Sequence, residues 1–261
     1  MEDRKRIVVK VGTSTVCHPN GAPNLRRIEK LCRTLSDLKN TGHEIILVTS
    51  GAIGAGTHKM KLESRPKSIA GRQAAAAVGQ CELMSIYDRF FLDYGSLTGQ
   101  ILLTKGITEN ETGRKNVIAT LNALLEMQVI PIINENDSVA TEEIVYGDND
   151  TLSAVVAAAA KADLLVLLSD IEGLFDTDPT LYPDAQLISI VHDYDKAREA
   201  ASGSHSEHGT GGMITKIHAA TIAREAGIET VLTSGADPNV LYDICEGVSV
   251  GTLFTVKEEE S

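Results

Sequence analysis

Tryptophan is absent from the 261 residues, and aromatic side chains of all kinds make up only 4% of them. A core built under that shortage must be filled by Ala, Val, Ile and Leu, the usual packing between a parallel sheet and its helices. A surface that binds by stacking bases on aromatic rings is disfavoured for the same reason. Positive charge is also short: 24 Lys and Arg stand against 36 Asp and Glu, leaving a formal charge of −12. Such a balance repels phosphate backbones and anionic lipid at long range, so neither nucleic acid nor a membrane surface is an expected partner. No charge-free apolar run reaches the roughly 18 residues that a bilayer crossing needs. The charged start, Met1 to Arg6, leads into no signal-type apolar core, and a cytoplasmic protein is expected.

Other absences narrow the chemistry. The four cysteines, Cys17, Cys32, Cys81 and Cys245, have no paired spacing, which leaves reduced, mostly buried thiols rather than a zinc site or a disulfide framework. No Gly-Lys dipeptide occurs, so there is no Walker A loop. The H-R-D and D-F-G signatures of protein kinases are missing too. His205 and His208 have no third ligand in view and read as solvated loop histidines.

What is present is an ordinary globular composition, 43% hydrophobic and 23% charged, enough for a sizeable core. Runs rich in β-branched residues alternate with longer helical stretches, the pattern of parallel strands joined by helical crossovers. Strands are expected near Ile7 to Val11, Glu44 to Thr49, Leu97 to Thr104, Val129 to Asn134, Leu164 to Ser169 and Glu229 to Thr233. Helices are expected over Leu25 to Thr41, Ser68 to Asp93, Gly113 to Met127, Asp150 to Ala162, Met213 to Ala226 and Asn239 to Glu246. The Ala-rich stretch Gln73 to Gln80 predicts a close helix packing or an oligomer contact. Glu143 to Tyr146 reads as part of a hairpin over the site. No repeat or linker divides the chain, so one domain over residues 1–256 and an acidic tail over 257–261 are expected.

In an open α/β sheet, ligands gather beyond the carboxyl ends of the strands. Lys10-Val11-Gly12-Thr13-Ser14-Thr15 puts an amine, a glycine and three hydroxyls at the first such end, where a phosphate fits against backbone N–H groups; a snorkelling lysine before a plain turn fits as well. Ser50-Gly51-Ala52-Ile53-Gly54-Ala55-Gly56 follows the second strand. Its glycines run opposite to the dinucleotide fingerprint, leaving a serine and free N–H groups suited to an oxyanion, or a close-packed turn. Asn134-Glu135-Asn136-Asp137 and Gly147-Asp148-Asn149-Asp150 bring acids and amides together. Such a set recognises an ammonium by charge and a carboxylate by amide donors, as an amino acid requires, and Asp150 reads as the N-cap of the following helix. A calcium loop is the rival there, without the EF-hand order. Ser169-Asp170, with Gly173 and Phe175 beyond, offers a place for a ribose or base, or simply a turn. Gly209-Thr210-Gly211-Gly212-Met213 leads into a helix with Lys216 in its first turn, the physical form of a phosphate cradle.

Taken together, Lys10 to Ser14, Val48 to Ile53, Ile133 to Asp137, Gly147 to Asp150 and Gly209 to Lys216 resemble, in order and approximate spacing, the glutamate 5-kinase branch of the amino acid kinase family. The similarity runs over essentially the whole chain, ending near Val250 to Phe254. It implies an α/β three-layer sandwich around a mainly parallel sheet, with an acceptor-binding part over about 1–160 and a nucleotide-binding part over about 161–256. The implied reaction moves the γ-phosphoryl group of ATP, with Mg²⁺ bridging its phosphates, onto the side-chain carboxylate of L-glutamate, at the start of proline synthesis.

By this resemblance Lys10 and Lys216 span the transferring group, helped by Gly12 and Gly51, with Asp150 orienting the lysines. Ser50, Gly51, Asn134, Asp137, Asp148 and Asn149 hold glutamate. Ser169, Asp170, Gly211, Gly212, Met213, Ile214, Thr215, Lys216 and Ile217 bind ATP. It further implies a homo-oligomer, proline as a feedback inhibitor and coupling to glutamate-5-semialdehyde dehydrogenase. Many members carry a C-terminal PUA domain, which this chain is expected to lack. A lid over Ala201 to Gly212 is expected from the need to keep water from the product.

Overall fold

The computed structural model describes residues 4–140, 148–202 and 212–257. Its frame is one sheet of eight strands: β1 (Arg6–Val11), β2 (Glu44–Val48), β3 (Leu97–Leu103), β4 (Val129–Glu135), β5 (Leu164–Ser169), β6 (Ile190–Val191), β7 (Glu229–Ser234) and β8 (Thr252–Phe254). The order across the sheet is β3-β4-β2-β1-β5-β7-β8-β6. The first six strands in that order pair in parallel, whereas β8 meets β7 antiparallel and pairs in parallel with β6. All six strands read from the sequence are found within a residue or so of their expected ends. The two that the pattern missed, β6 and β8, have two and three residues, too short to show a period.

Ten helices accompany the strands among the described residues: α1 (Thr13–Val16), α2 (Leu25–Asn40), α3 (Ala52–Lys59), α4 (Ile69–Asp93), α5 (Lys105–Glu109), α6 (Glu111–Glu126), α7 (Asn149–Ala160), α8 (Tyr194–Ser202), α9 (Met213–Glu225) and α10 (Val240–Cys245). The six expected helices are among them. Strand alternation divides the core into two halves. Ile7, Val9 and Val11 of β1 face a cluster with Ile28, Leu31 and Leu35 of α2 and Leu83 and Tyr87 of α4. Val8 faces the other way, toward Leu152 and Val156 of α7 and Ile217 and Ala220 of α9. The result is helix, sheet, helix, the three layers that the resemblance implies.

One helix contact is unusually close. A Cβ on Gly56 of α3 would lie 1.8 Å from the Ala75 carbonyl oxygen, and one on Gly79 of α4 would lie 1.8 Å from that of Ala52. Only glycine fits at these crossings, so the Ala-rich stretch does serve a tight helix packing. This fixes the start of α3, and the Ser50-Gly51 turn before it, against α4. The thiols divide: Cys17 and Cys32 are buried, Cys81 is exposed and Cys245 lies between. The expectation of mostly buried thiols therefore holds for two of the four. The expected hairpin at Glu143 to Tyr146 lies outside the described residues, and of the expected lid only Ala201, Ser202 and Gly212 are described.

Candidate active site

Because Lys10 shares the Val8 face of β1, its side chain rises toward the starts of α7 and α9. In the sheet it pairs with Val48 on one side and Leu167 on the other, midway along the carboxyl edge. Its Nζ lies 2.5 Å from Asp150 Oδ1, and Lys216 Nζ, from the first turn of α9, lies 3.3 Å from Asp150 Oδ2. All three side chains are below 10% exposed. One buried carboxylate thus holds two amines that stand 206 positions apart in the chain. Burial pushes the Asp150 carboxyl up, but Lys10 and Lys216 outweigh it and hold the group below the ordinary carboxylate range. Thr215 Oγ1 adds a contact of 3.1 Å to Asp150 Oδ2.

The expectation that Asp150 caps its helix is corrected. The helix starts one residue earlier, and the N-cap is Asp148, whose Oδ1 accepts from the Thr151 backbone N–H at 2.7 Å. A cap of this kind is worth about 1 kcal/mol. Asp150 sits in the first turn instead, where its side chain turns inward to the lysines. Three consecutive residues able to cap left the sequence ambiguous, and the buried charges on the far side decide among them.

Beside this ion triad lies a chain of amides. Asn149 Nδ2, with two protons to share, lies 2.7 Å from the Thr49 carbonyl, 2.8 Å from Ser50 Oγ and 2.9 Å from Asn134 Oδ1. Asn134 Oδ1 also accepts from the Glu135 backbone N–H, and Asn134 Nδ2 donates to Gln80 Oε1 at 2.8 Å. A backbone carbonyl can only accept and a backbone N–H only donate, so these anchors fix which way each amide points. The Asn149 nitrogen is thereby committed to the protein, and its Oδ1 is the atom left for a ligand. This revises the expected recognition: Asn149 offers an acceptor, suited to an ammonium. Ser50 Oγ, already accepting from Asn149, keeps its own proton to donate.

Asp137 lies in the turn after β4, held because Asn136 N–H bonds Leu103 O and because Gln73 of α4 bonds Ala140 O. Burial raises the Asp137 carboxyl, with Arg65 pulling the other way. Asp148 is raised as well, by burial and by its neighbour Asp150, against its bond from Thr151. Gly51 precedes α3 with φ of 97°, and a Cβ there would meet Cys17 Sγ at 3.0 Å, so the turn that carries Ser50 requires glycine.

At the other end, a Cβ on Gly12 would lie 3.6 Å from Lys10 Nζ, which places its backbone beside the triad. Ser169, at the end of β5, is buried and donates to Asp170 Oδ1 at 3.0 Å. Gly212 precedes α9, and Thr215 N–H and Oγ1 both bond its carbonyl. Ile214 is exposed, whereas Met213 packs against the core and Ile217 is fully buried in it. Among the residues expected to bind ATP, Ile217 sets its side chain in the core, on the inward face of α9. Gly211 lies outside the described residues. Gly173 packs against the start of β8, where a Cβ would sit 2.6 Å from Thr252 Oγ1.

Sequence reasoning missed Gln80, Tyr87 and Thr49. Tyr87 OH and Thr49 Oγ1 lie 2.8 Å apart, next to the Ser50-Gly51 turn. The signal was there: Ala76, Gln80, Leu83, Tyr87 and Phe91 recur at spacings of three and four, the inward stripe of α4, with a polar Gln among them.

The sequence matches the amino acid kinase family over residues 5–234. The glutamate 5-kinase of Listeria innocua is 51% identical, over 100% of this chain and 96% of its own length. That of Clostridium tetani is 53% identical over 97% and 96%. Among solved structures, the carbamate kinase of Giardia lamblia bound to AMP-PNP superimposes with a TM-score of 0.69 at 13% identity, covering 98% of this chain and 99% of that one, a likeness of fold alone. Motifs, sheet order and relatives agree: the chain belongs to the amino acid kinase family.

Proposed function

We infer that this protein is an ATP-dependent kinase that phosphorylates the side-chain carboxylate of L-glutamate, giving γ-glutamyl 5-phosphate at the entry to proline synthesis. Relatives named glutamate 5-kinase match it at about half identity over its whole length. The observation that carries the mechanism is the buried triad of Lys10, Asp150 and Lys216 at the carboxyl edge of the sheet, beside the amide chain. A carboxylate acceptor has no proton to lose, so the reaction needs positive charge and alignment rather than a base. An acceptor oxygen forms a bond to the γ-phosphorus as the bond from that phosphorus to the β-bridging oxygen breaks, and ADP leaves. Lys10 and Lys216 offset the charge that gathers on the transferring group, and Asp150 keeps both amines in register.

In this reading Ser50, Asn134, Asp137, Asp148 and Asn149 hold glutamate, its ammonium toward Asn149 Oδ1 and the Asp137 and Asp148 carboxylates. The Gly12 backbone, Ser169, Asp170 and the start of α9 with Gly211 and Gly212 hold ATP. Among the described residues no three His, Cys, Asp or Glu side chains gather into a metal cage. In this proposal Mg²⁺ enters as part of the nucleotide substrate, carried on its phosphates. The product is an acyl phosphate, labile to water, which favours a prompt reductive step by glutamate-5-semialdehyde dehydrogenase. Inhibition by proline, a homo-oligomer and a cytoplasmic location belong to the same proposal. No described helix is long and apolar enough to cross a membrane.

The test is a hydroxamate assay. With ATP, Mg²⁺ and hydroxylamine, L-glutamate should yield a hydroxamate, while aspartate and N-acetylglutamate should not and carbamate should give no transfer. Absence of product with L-glutamate would overturn the reading.

A further inference from the structure

Gln80 is buried at 9% exposure on the inner stripe of α4, and its Nε2 has no hydrogen-bond partner among the described residues. Its Oε1, by contrast, is engaged, accepting from Asn134 Nδ2 at 2.8 Å. Gln80 is therefore the far end of a run of amides: Gln80 accepts from Asn134, Asn134 accepts from Asn149, and Asn149 reaches Ser50 and the Thr49 carbonyl. A lone glutamine among Ala76, Leu83 and Tyr87 brings polar atoms into an apolar layer and leaves one unpaired, which packing alone does not reward. The backbone of α4 cannot drift there, because Gly79 sits against the Ala52 carbonyl.

We propose that Gln80 is a positioning residue that, through Asn134, sets Asn149 to present its carbonyl oxygen to the acceptor's ammonium group. This rests on the acceptor site assigned above. Without an acceptor at position 80, Asn134 Nδ2 is buried and unpaired, so the Asn134 amide is drawn away from Asn149. Asn149 then loses one of the three oxygens that share its two protons, and the discrimination between a free amino acid and the same chain without an ammonium weakens.

The experiment uses the full chain with Gln80→Met, of similar length but lacking the acceptor, and Gln80→Glu, which keeps an acceptor oxygen. The readouts are KM for L-glutamate, KM for ATP and the inhibition constant of glutarate, which lacks the ammonium. In Gln80→Met, KM for L-glutamate should rise about tenfold, the size of one good hydrogen bond to a charged group, and the preference over glutarate should fall by the same factor. KM for ATP should stay within about twofold of wild type, the margin that separates an acceptor effect from general loosening. Gln80→Glu should keep the preference. An unchanged preference in folded Gln80→Met, or an equal loss in both variants, would overturn the proposal. Should Gln80→Met fail to fold, Gln80→Glu decides: lost preference there refutes it. Failure of the acceptor reading itself would show separately, as wild-type protein inactive with L-glutamate.

Discussion

Replacing Asp150 by Asn tests the site at its centre. The substitution keeps the shape of the side chain and removes the charge between two ammonium groups that are each below 10% exposed. At 2.5 and 3.3 Å and an effective dielectric of about 20, Coulomb's law gives roughly 5–7 kcal/mol of gross attraction per pair, before desolvation. Most of that offsets the cost of burying the three charges. What a variant loses is the compensation for the two that remain, about 3–5 kcal/mol in systems where one partner of a buried pair is removed.

Urea unfolding at neutral pH should therefore show Asp150→Asn destabilised by about that amount with little change in slope. The sign of the pH dependence follows from the lowered carboxyl of Asp150. Its contribution is complete above the ordinary carboxylate pKa and is lost as pH falls through the lower folded value. The gap between wild type and variant should thus be wide near pH 7 and close only in strong acid. Turnover should fall by ~10² or more, since both amines lose their common anchor. A variant as stable as wild type, or one losing stability without losing turnover, would refute the reasoning.

Lys10→Ala and Lys216→Ala should each lower turnover by ~10² to 10³ in the hydroxamate assay. Each should also cost about 1–3 kcal/mol in urea unfolding, because half of the Asp150 partnership goes with it. Gly79→Ala adds a good helix former, yet its Cβ would meet the Ala52 carbonyl oxygen at 1.8 Å, so unfolding should show a loss of about 3 kcal/mol or failure to fold. Asp137→Asn should go the other way. Burial raises that carboxyl, so the charged form opposes folding above the raised pKa; the variant should melt higher than wild type at pH 7, with the gain shrinking toward acid, while KM for L-glutamate rises about tenfold.

The strands and long helices were legible because a buried parallel sheet writes itself as short apolar runs, and its helices as stripes at spacings of three and four. Ile7 to Val11 and Leu164 to Ser169 needed no tertiary information. The polar clusters after β1, β2, β4 and β5 were legible as well, since ligands gather at those ends and residues that do not pack must serve some other purpose. A composition poor in aromatics and positive charge set aside stacking and polyanion binding by itself.

The sequence was silent wherever one position has several local solutions. Asp148, Asn149 and Asp150 are all competent caps, and the choice came from two lysines on other elements. Asn149 and Asn134 can each point either way, and backbone groups of Thr49 and Glu135 settled it. Gln80 is one more residue in an Ala-rich helix until the fold brings it beneath β4. Composition and period therefore determined which layers form and which strand ends carry polar groups, because those depend on burial and local repeat. Which amine meets which acid, and which way an amide donates, depend on contacts between residues far apart in the chain, and only the assembled sheet and helices decided them.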